Sequence, residues 1–322
     1  MRVAILHAEV PPDAPKDEQD VLQQVESVTA ALQKLGHTPF AVPVTLDLKK
    51  AITQLQNQKP TLVFNLVESL AGVGRYIHFI PAVLDQLKLP YTGARTDAVF
   101  VTTNKMLTKS LLKSAGLKTP DWSSAQDVRT KTIHFQPPYI IKPISEDASV
   151  GLDEEAIVTN KNLLHKTLED RINLFGDCFV EAFVPGREFN LSILAGKDGP
   201  EVLPPAEIVF LDYPKEKPRI LGYRAKWDED SFEYKKTVRN FEFTATDSVL
   251  IKEMCEIARQ CWSLFDLHGY ARMDFRVNEN QTPLILEVNI NPCISPDSGF
   301  VAAAERAHLA FEQVIERIIN DC

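Results

Sequence analysis

The segment LILEVNINP (284–292) places Glu287, Asn289 and Asn291 at alternate positions, with Leu286, Val288 and Ile290 between them. Side chains of a strand alternate between faces, so this spacing gathers one carboxylate and two amides on one side. GYARMDFRV (269–277) alternates in the same way, with Arg272, Asp274 and Arg276 set against Met273, Phe275 and Val277. A turn within NENQT would join the two as a hairpin. If Val277 pairs Leu284, Asp274 falls opposite Glu287 and Arg272 opposite Asn289. Direct partners stand about 4.5–5.5 Å apart at Cβ, and two carboxylates that close repel unless a cation or a proton intervenes. Two readings fit. Arg272 completes a surface ion-pair ladder, or an oxygen-only donor set without His or Cys holds a hard cation such as Mg²⁺.

The elements that would position this hairpin follow from hydrophobic periodicity. RVAILHAEV reads as a buried strand and DVLQQVESVTAALQKLG as a helix that stops near Gly36. PFAVPV, AITQLQNQ, PTLVFNLV, IHFIPAVLDQLKL and PYTGA continue the alternation of strand and helix. The pattern predicts an α/β domain with a doubly wound parallel sheet over residues 1–95. TTNKMLTKSLLKSAG (102–116) predicts one helix, and PPYIIKPI a strand running into a polar loop, within a central unit over 96–180. From about residue 178 the strands CFVEAFV, EFNLSIL and EVLPPAEIVF have antiparallel character. The third unit, 181–322, is therefore expected to be α+β. It contains a stretch dense in charges and aromatics at 211–241, the helix SVLIKEMCEIARQCWSLFDL, the hairpin, and AAAERAHLAFEQVIERII (302–319) as one closing amphipathic helix.

Bulk properties narrow the function. With 322 residues, 44% of them hydrophobic and 25% charged, the chain has the composition of a globular protein of two or three units. No apolar stretch approaches a membrane span, and the opening MRVAILHAEV lacks the long apolar region and cleavage site of a signal peptide. The five cysteines are an odd number without C-x-x-C spacing, so a reduced, cytoplasmic compartment is expected. A net charge of −9 argues against nucleic acid as a partner. A small phosphate ligand stays compatible, because a few lysines and a divalent cation reverse the field locally.

GYARMDF followed by LEVNINP resembles the metal-binding hairpin of the ATP-grasp enzymes, and most closely that of the D-alanine–D-alanine ligases. LPYTGA, NKMLTK, YIIKP…ASVG, VEAFVPGREFNLSIL, YRAKW, GYARMDF and EVNINP…DSG run in that family's order across residues 89–299. The resemblance implies an ATP-grasp fold of three domains with ATP clamped between the last two, Mg²⁺ as metal (Mn²⁺ being an alternative), and a homodimer through the N-terminal domain. It implies that Lys105, Lys142 and Ser149 meet the phosphates. Glu181, Phe183 and Val184 fall in the hinge that holds adenine, and Glu188 matches the residue on the ribose hydroxyls. Asp274, Glu287 and Asn289 match the metal ligands. Arg272 matches the arginine that steadies the acyl phosphate, an oxyanion-stabilising role. Lys226 matches a lysine of a lid over 211–241 that reaches the triphosphate, and Ser298 and Gly299 match residues on the attacking amino acid's carboxylate. The implied reaction phosphorylates a carboxylate and lets an amine displace the phosphate, with amino acids or peptides as substrates.

Four departures touch the substrate positions. The phosphate loop reads Asp147, Ala148, Ser149, Val150, Gly151, so Ala148 removes a hydroxyl that the family uses in a Ser–Tyr–Glu group. Trp227 stands where that tyrosine is expected, and its indole nitrogen donates but cannot accept. The early loop HAEVPPDAPKDEQD leaves Asp17 and Glu18 as alternatives for gripping the first substrate's amine. NLVESLAGVGRYIHF replaces a His-Gly motif and offers Glu68, Arg75 and His78 as polar candidates, of which Glu68 is taken as substrate-binding. Cys293 replaces a glycine, as filler or as nucleophile. These changes point to a carboxylate–amine ligase with substrates other than two D-alanines. The alternatives are a D-alanine–D-alanine ligase itself, a non-ligating ATP sensor or scaffold, and a phosphotransferase.

Overall fold

The computed structural model describes residues 1–322. Three parallel strands open the chain: β1 (Arg2–Ala8), β2 (Thr38–Val44) and β3 (Leu62–Asn65), in the order β2-β1-β3. Alternation along β1 decides what covers each face. Val3 and Ile5 point to α1 (Lys16–Lys34), whereas Ala4 and Leu6 point to α2 (Leu48–Gln58) and α3 (Phe79–Leu87). Tyr91 joins the sheet edge only as a single parallel bridge to Val63, so PYTGA is not a further strand.

The middle of the chain forms a second sheet, in the order β4-β7-β5-β6. Its strands are β4 (Trp122–Ser124), β5 (Tyr139–Pro143), β6 (Ile157–Val158) and β7 (Cys178–Ala182). All pairings are antiparallel, and α6 (Ala125–Arg129) and α7 (Leu164–Phe175) cover one side. α4 (Thr96–Thr103) and α5 (Lys105–Ser114) pack instead against the third sheet, through Ala98, Val99 and Leu112.

That third sheet runs β11-β10-β8-β12-β13, built from β8 (Arg187–Leu194), β10 (Ala206–Phe210), β11 (Thr237–Asn240), β12 (Tyr270–Val277) and β13 (Pro283–Asn289), with β9 (Glu201–Val202) on β8. Phe189, Leu191, Ile193, Met273 and Phe275 point to α10 (Ser248–Leu264) on one face. Alternation then sends polar residues to the other face, in rows that cross the strands. One row is Arg239, Ile208, Glu188, Arg276; the next is Ala206, Asn190, Asp274, Glu287; the third is Ser192, Arg272, Asn289. The second sheet and the 211–241 segment, with α8 (Tyr223–Trp227) and α9 (Phe232–Lys236), stand over this polar face.

Three sequence expectations need correction. The 102–116 helix is broken at Asn104, whose extended backbone and side chain cap α5 through the Leu107 N–H. This break turns the Lys105 N–H toward the Ile144 carbonyl, 3.0 Å away, and seats Lys105 beside the phosphate loop. The closing helix is two, α11 (Gly299–Arg306) and α12 (Phe311–Ile319), separated by His308 in the left-handed region. α12 lies against α1 with Val314, Ile315, Ile318 and Ile319 buried, each contributing roughly 1.5–3 kcal/mol. The chain's end thus closes the first sheet. No helix is long and apolar enough to cross a membrane.

The hairpin carries the third correction. Asp274 does pair Glu287 and Arg272 does pair Asn289, but a bulge after Asp274 makes Val277 pair Pro283, not Leu284. The extra residue in β13 is Leu286, which joins Glu287 and Asn289 in lining the polar cavity while Ile285 and Val288 enter the core. A bulge bends the strand and re-aims side chains in this way.

Candidate active site

Two connected cavities occupy the polar face. The narrower one, about 70 Å³, is lined by Lys105, Lys142, Glu188, Lys226, Asp274 and Glu287 among others. The wider one, about 470 Å³, runs on toward α1 and α11. Asp147, Ala148, Leu221, Lys226, Arg272 and Asn289 line both, and so mark where they meet.

The narrow cavity is rich in lysine. Lys105 is buried and its Nζ donates to the Glu146 carbonyl at 2.7 Å and to Asp147 Oδ1 at 3.0 Å, with Glu287 at 3.8 Å. Burial opposes its charge, but Asp147 and Glu287 overcome this and hold the ammonium above its ordinary range. Lys142 donates to Glu181 Oε1 at 2.6 Å, and Lys109 meets the other oxygen of Glu181 at 2.5 Å. Burial works against the Glu181 charge; the two lysines outweigh it and keep the carboxyl below the usual carboxylate range. Lys226 has no ion-pair partner. Burial and the nearby Arg272 lower its pKa, so an anion in the cavity would be its natural complement.

The phosphate loop has Ala148 and Ser149 in the left-handed region, with φ of 54° and 63°. Neither N–H donates to a backbone carbonyl, and successive free N–H groups in such a turn form an anion-binding concavity. Gly151 follows at φ 69°, where an added Cβ would stand 3.0 Å from Pro143 and 3.2 Å from Phe175. The loop is fastened to the 211–241 segment at three points. Ser149 Oγ donates to the Leu221 carbonyl at 2.7 Å, Tyr223 N–H to Leu152 at 3.0 Å, and the Trp227 indole to the Ala148 carbonyl at 3.0 Å. Trp227 therefore uses a backbone acceptor in place of the hydroxyl that Ala148 lacks. One helical turn earlier, Tyr223 donates to Asp17 of α1 at 2.8 Å.

At the junction, Arg272 holds Asp274 with the Nε–Nη2 edge of its guanidinium, at 2.7 and 2.8 Å. Asn190 donates to the same carboxylate at 2.8 Å. Burial, and then Asp147 against the opposing Lys105, raise Glu287, while Lys105 overcomes burial to lower Asp147. Lys105 stands between the two carboxyls, 3.0 Å from Asp147 and 3.8 Å from Glu287. No three His, Cys, Asp or Glu side chains converge here in metal-holding geometry. Asp274, Glu287 and the Asn289 amide oxygen are nevertheless an all-oxygen set that fits Mg²⁺, whose remaining positions are ordinarily filled by phosphate and water.

Glu188 is buried against Arg276, at 3.1 Å, and burial raises its carboxyl. Arg276 also donates to the carbonyls of Gly186 and Arg219, so it pins Glu188 between the hinge and the 211–241 segment. Gly186 at φ 142° is required there: a Cβ would fall 2.0 Å from the Val277 carbonyl. Glu181, Phe183 and Val184 do not line the narrow cavity. The Glu181 side chain is spent on its lysines, Phe183 packs near the Arg276 guanidinium and bonds Pro138, and the Val184 N–H has no backbone acceptor.

In the wide cavity the acidic residue from α1 is neither Asp17, which is taken by Tyr223, nor Glu18, but Asp20. Gln24 bridges Asp20 and Glu68 at 3.1 and 2.9 Å. Burial, reinforced by Asp20 and Asp147 against the Gln24 bond, raises Glu68 to about 8. Cys293 contacts Asp20 at 3.0 Å and Ser295 at 2.8 Å; burial and the two carboxylates push its thiol far up, which removes the nucleophile reading. Asn291 accepts from Tyr270 at 2.7 Å and donates to Val67, tying the hairpin to the first sheet. At the other end, Ser298 caps α11 and lines the wall with Gly299 and Arg239. Arg75 and His78 lie at the surface away from both cavities.

Asn190, Asp20 and Arg239 were not singled out from sequence, and Arg276 was placed on the hairpin's polar face without a role. A signal existed for the first: Glu188, Asn190 and Ser192 alternate in REFNLSIL as clearly as the hairpin residues do.

The chain has counterparts among known proteins. Residues 111–320 match the family described as D-ala D-ala ligase C-terminus. A D-alanine–D-alanine ligase of Aquifex aeolicus is 32% identical over 306 residues, covering 93% of this chain and 94% of that protein. The uncharacterized protein y4sG of Sinorhizobium fredii is 28% identical over 92% of this chain and 86% of its own length. Among solved structures, a D-alanine–D-alanine ligase from Bacillus anthracis complexed with ATP superimposes with a TM-score of 0.74 at 19% identity, over 100% of this chain and 97% of that one.

Proposed function

The chain belongs to the D-alanine–D-alanine ligase family, and from that premise we propose that it is an ATP-dependent carboxylate–amine ligase whose substrates are not two D-alanines. The observation that carries this reading is the continuity of the two cavities through Lys226, Arg272 and Asn289, which puts a phosphate-binding end and a zwitterion-binding end on one reaction centre.

ATP sits in the narrow cavity, with Lys105, Lys142 and Lys226 facing its phosphates and Glu188 its ribose. Asp274, Glu287 and Asn289 would hold Mg²⁺, which would supply charge neutralisation to the phosphates. A carboxylate in the wide cavity attacks the terminal phosphorus of ATP, the bond to the bridging oxygen breaks, ADP leaves and an acyl phosphate forms. The substrate amine then attacks the acyl carbon, and phosphate leaves. Arg272 provides a fixed cation where negative charge develops on the acyl oxygen. Asp20 and Glu68 form an acidic end suited to the ammonium of the first substrate. The 211–241 segment is the lid, and its three bonds to the phosphate loop keep water from the acyl phosphate.

The three sheets support a division into three units, with β7 (Cys178–Ala182) carrying the second past residue 180 and α4 and α5 packing with the third. Five unpaired cysteines support a reducing, cytoplasmic setting, and a homodimer rests on the family alone. Support for altered substrates comes from Trp227 and Asp20, which line the wide cavity, and from Ala148 where the two cavities meet. The test incubates purified protein with Mg-ATP and pairs drawn from D- and L-amino acids and short peptides, reading phosphate and product mass. Amide formation that needs two substrates is expected. Rapid D-alanyl-D-alanine synthesis would overturn the altered specificity, and absence of phosphate release with every pair would overturn ligation.

A further inference from the structure

Arg239 lies on β11 opposite Ile208, on the same sheet face as Glu188 and at the mouth of the wide cavity. Its Nη1 donates to the Asp297 carbonyl at 2.9 Å, which fixes the guanidinium over the loop entering α11. Its Nε stands 3.5 Å from where a Cβ of Gly299 would be, so it rests on the first turn of that helix. The bond to Asp297 uses one end of the fork. The other edge, Nε–H with Nη2–H, makes no hydrogen bond within the chain and is the edge that takes a carboxylate in bidentate fashion. No acidic side chain forms an ion pair with Arg239, although Asp297 and Asp20 line the same cavity. The side chain is exposed at the cavity mouth, so this edge is open to a ligand entering from solvent.

The cavity is therefore bipolar. Asp20 and Glu68 close one end, Arg239 the other, and Arg272 and Lys226 stand at the junction with the phosphate cavity. We propose that Arg239 is a specificity-determining residue for the amine-donating substrate: its free edge pairs with that substrate's carboxylate, so the donor is an amino acid or peptide with a free carboxylate. This rests on the ligase reading above. The pairing holds the donor by its far end and leaves its amine turned toward the acyl carbon beside Arg272.

The test uses the full chain with Mg-ATP and a panel of D- and L-amino acids as donors, each beside its own carboxamide. Wild-type protein should use the best donor at least tenfold better than the amide, as expected for one lost charge-assisted pair. Arg239→Gln should raise the donor KM about tenfold or more and erase the preference for acid over amide, with the KM for ATP unchanged. Arg239→Lys, which keeps the charge but not the fork, should recover part of the preference. A donor KM unmoved in Arg239→Gln, or equal use of acid and amide by wild type, overturns the assignment while leaving ligation intact. A wild-type protein that turns over no donor at all overturns the ligase reading and this assignment with it.

Discussion

Tyr223 and Asp17 are 206 positions apart in sequence, yet the tyrosine hydroxyl donates to the aspartate at 2.8 Å and ties the 211–241 segment to α1. This bond and the Trp227–Ala148 bond together span the phosphate loop from both sides. The segment is therefore held to the first unit as well as to the second. Tyr223→Phe should remove about 1 kcal/mol of that fastening, or roughly a fivefold rise in the opened population. Trypsin offers a direct readout, since Lys215, Arg219 and Arg224 lie within the segment. Nicking between residues 211 and 241 should quicken about fivefold in the presence of ATP. Equal rates in the two proteins would show that the hydroxyl does not fasten the lid.

Asn190 donates to Asp274 but lines the cavity only beside it, so it orients the carboxylate. Partners that orient a metal ligand typically govern affinity by about 10–100-fold. Asn190→Leu is expected to raise the Mg²⁺ concentration for half-maximal turnover by about that factor, with activity restored at high Mg²⁺. Glu287→Gln, by contrast, removes a donor outright and should abolish turnover at every Mg²⁺ concentration. A magnesium titration of ATP consumption separates the two effects; identical curves for wild type and Asn190→Leu would deny Asn190 this role.

The hairpin was readable because a strand repeats every two residues and both segments keep the repeat without interruption. Leu286 was not readable for the same reason. The alternation of LILEVNI runs straight through the bulge, and only the pairing with β12 reveals the extra residue. The break at His308 was hidden among good helix formers, and neither it nor the break at Asn104 has a proline or glycine to announce it. Asn104 works by a side-chain cap, which composition alone does not distinguish from an exposed helical asparagine. Asp17, Glu18 and Asp20 share one short stretch of α1, so their roles depend on the rotation of the helix against the lid. Trp227 looked like a break in a network because its new acceptor is a backbone carbonyl, and carbonyls leave no mark in a sequence.

Glu181 carries a different kind of consequence. It is almost wholly buried and lies between Lys109 and Lys142, both bonded to it within 2.6 Å. Glu181→Gln would leave two buried ammonium groups without their counter-charge, and breaking a buried pair in this way costs about 3–5 kcal/mol. Urea unfolding monitored by circular dichroism should show a loss of that order for the second sheet. A loss below about 1 kcal/mol would mean that solvent reaches the triad.

Glu68 makes the wide cavity sensitive to pH. Burial raises its carboxyl from 4.5 to about 8, so it is largely protonated at neutral pH in the free protein. Because the folded state binds that proton more tightly, the stabilisation is complete below 4.5 and is lost as pH rises through about 8. An ammonium reverses the preference, since it is attracted to the carboxylate. Binding of the first substrate's amine must then release the proton, and its apparent affinity should rise by about tenfold per pH unit between pH 6 and 8 before levelling. Glu68→Gln should flatten this profile and also raise the melting temperature at pH 9 relative to wild type. Measuring KM for the first substrate at pH 6, 7 and 8 decides the matter, because a profile that is already flat in the wild type places the ammonium elsewhere.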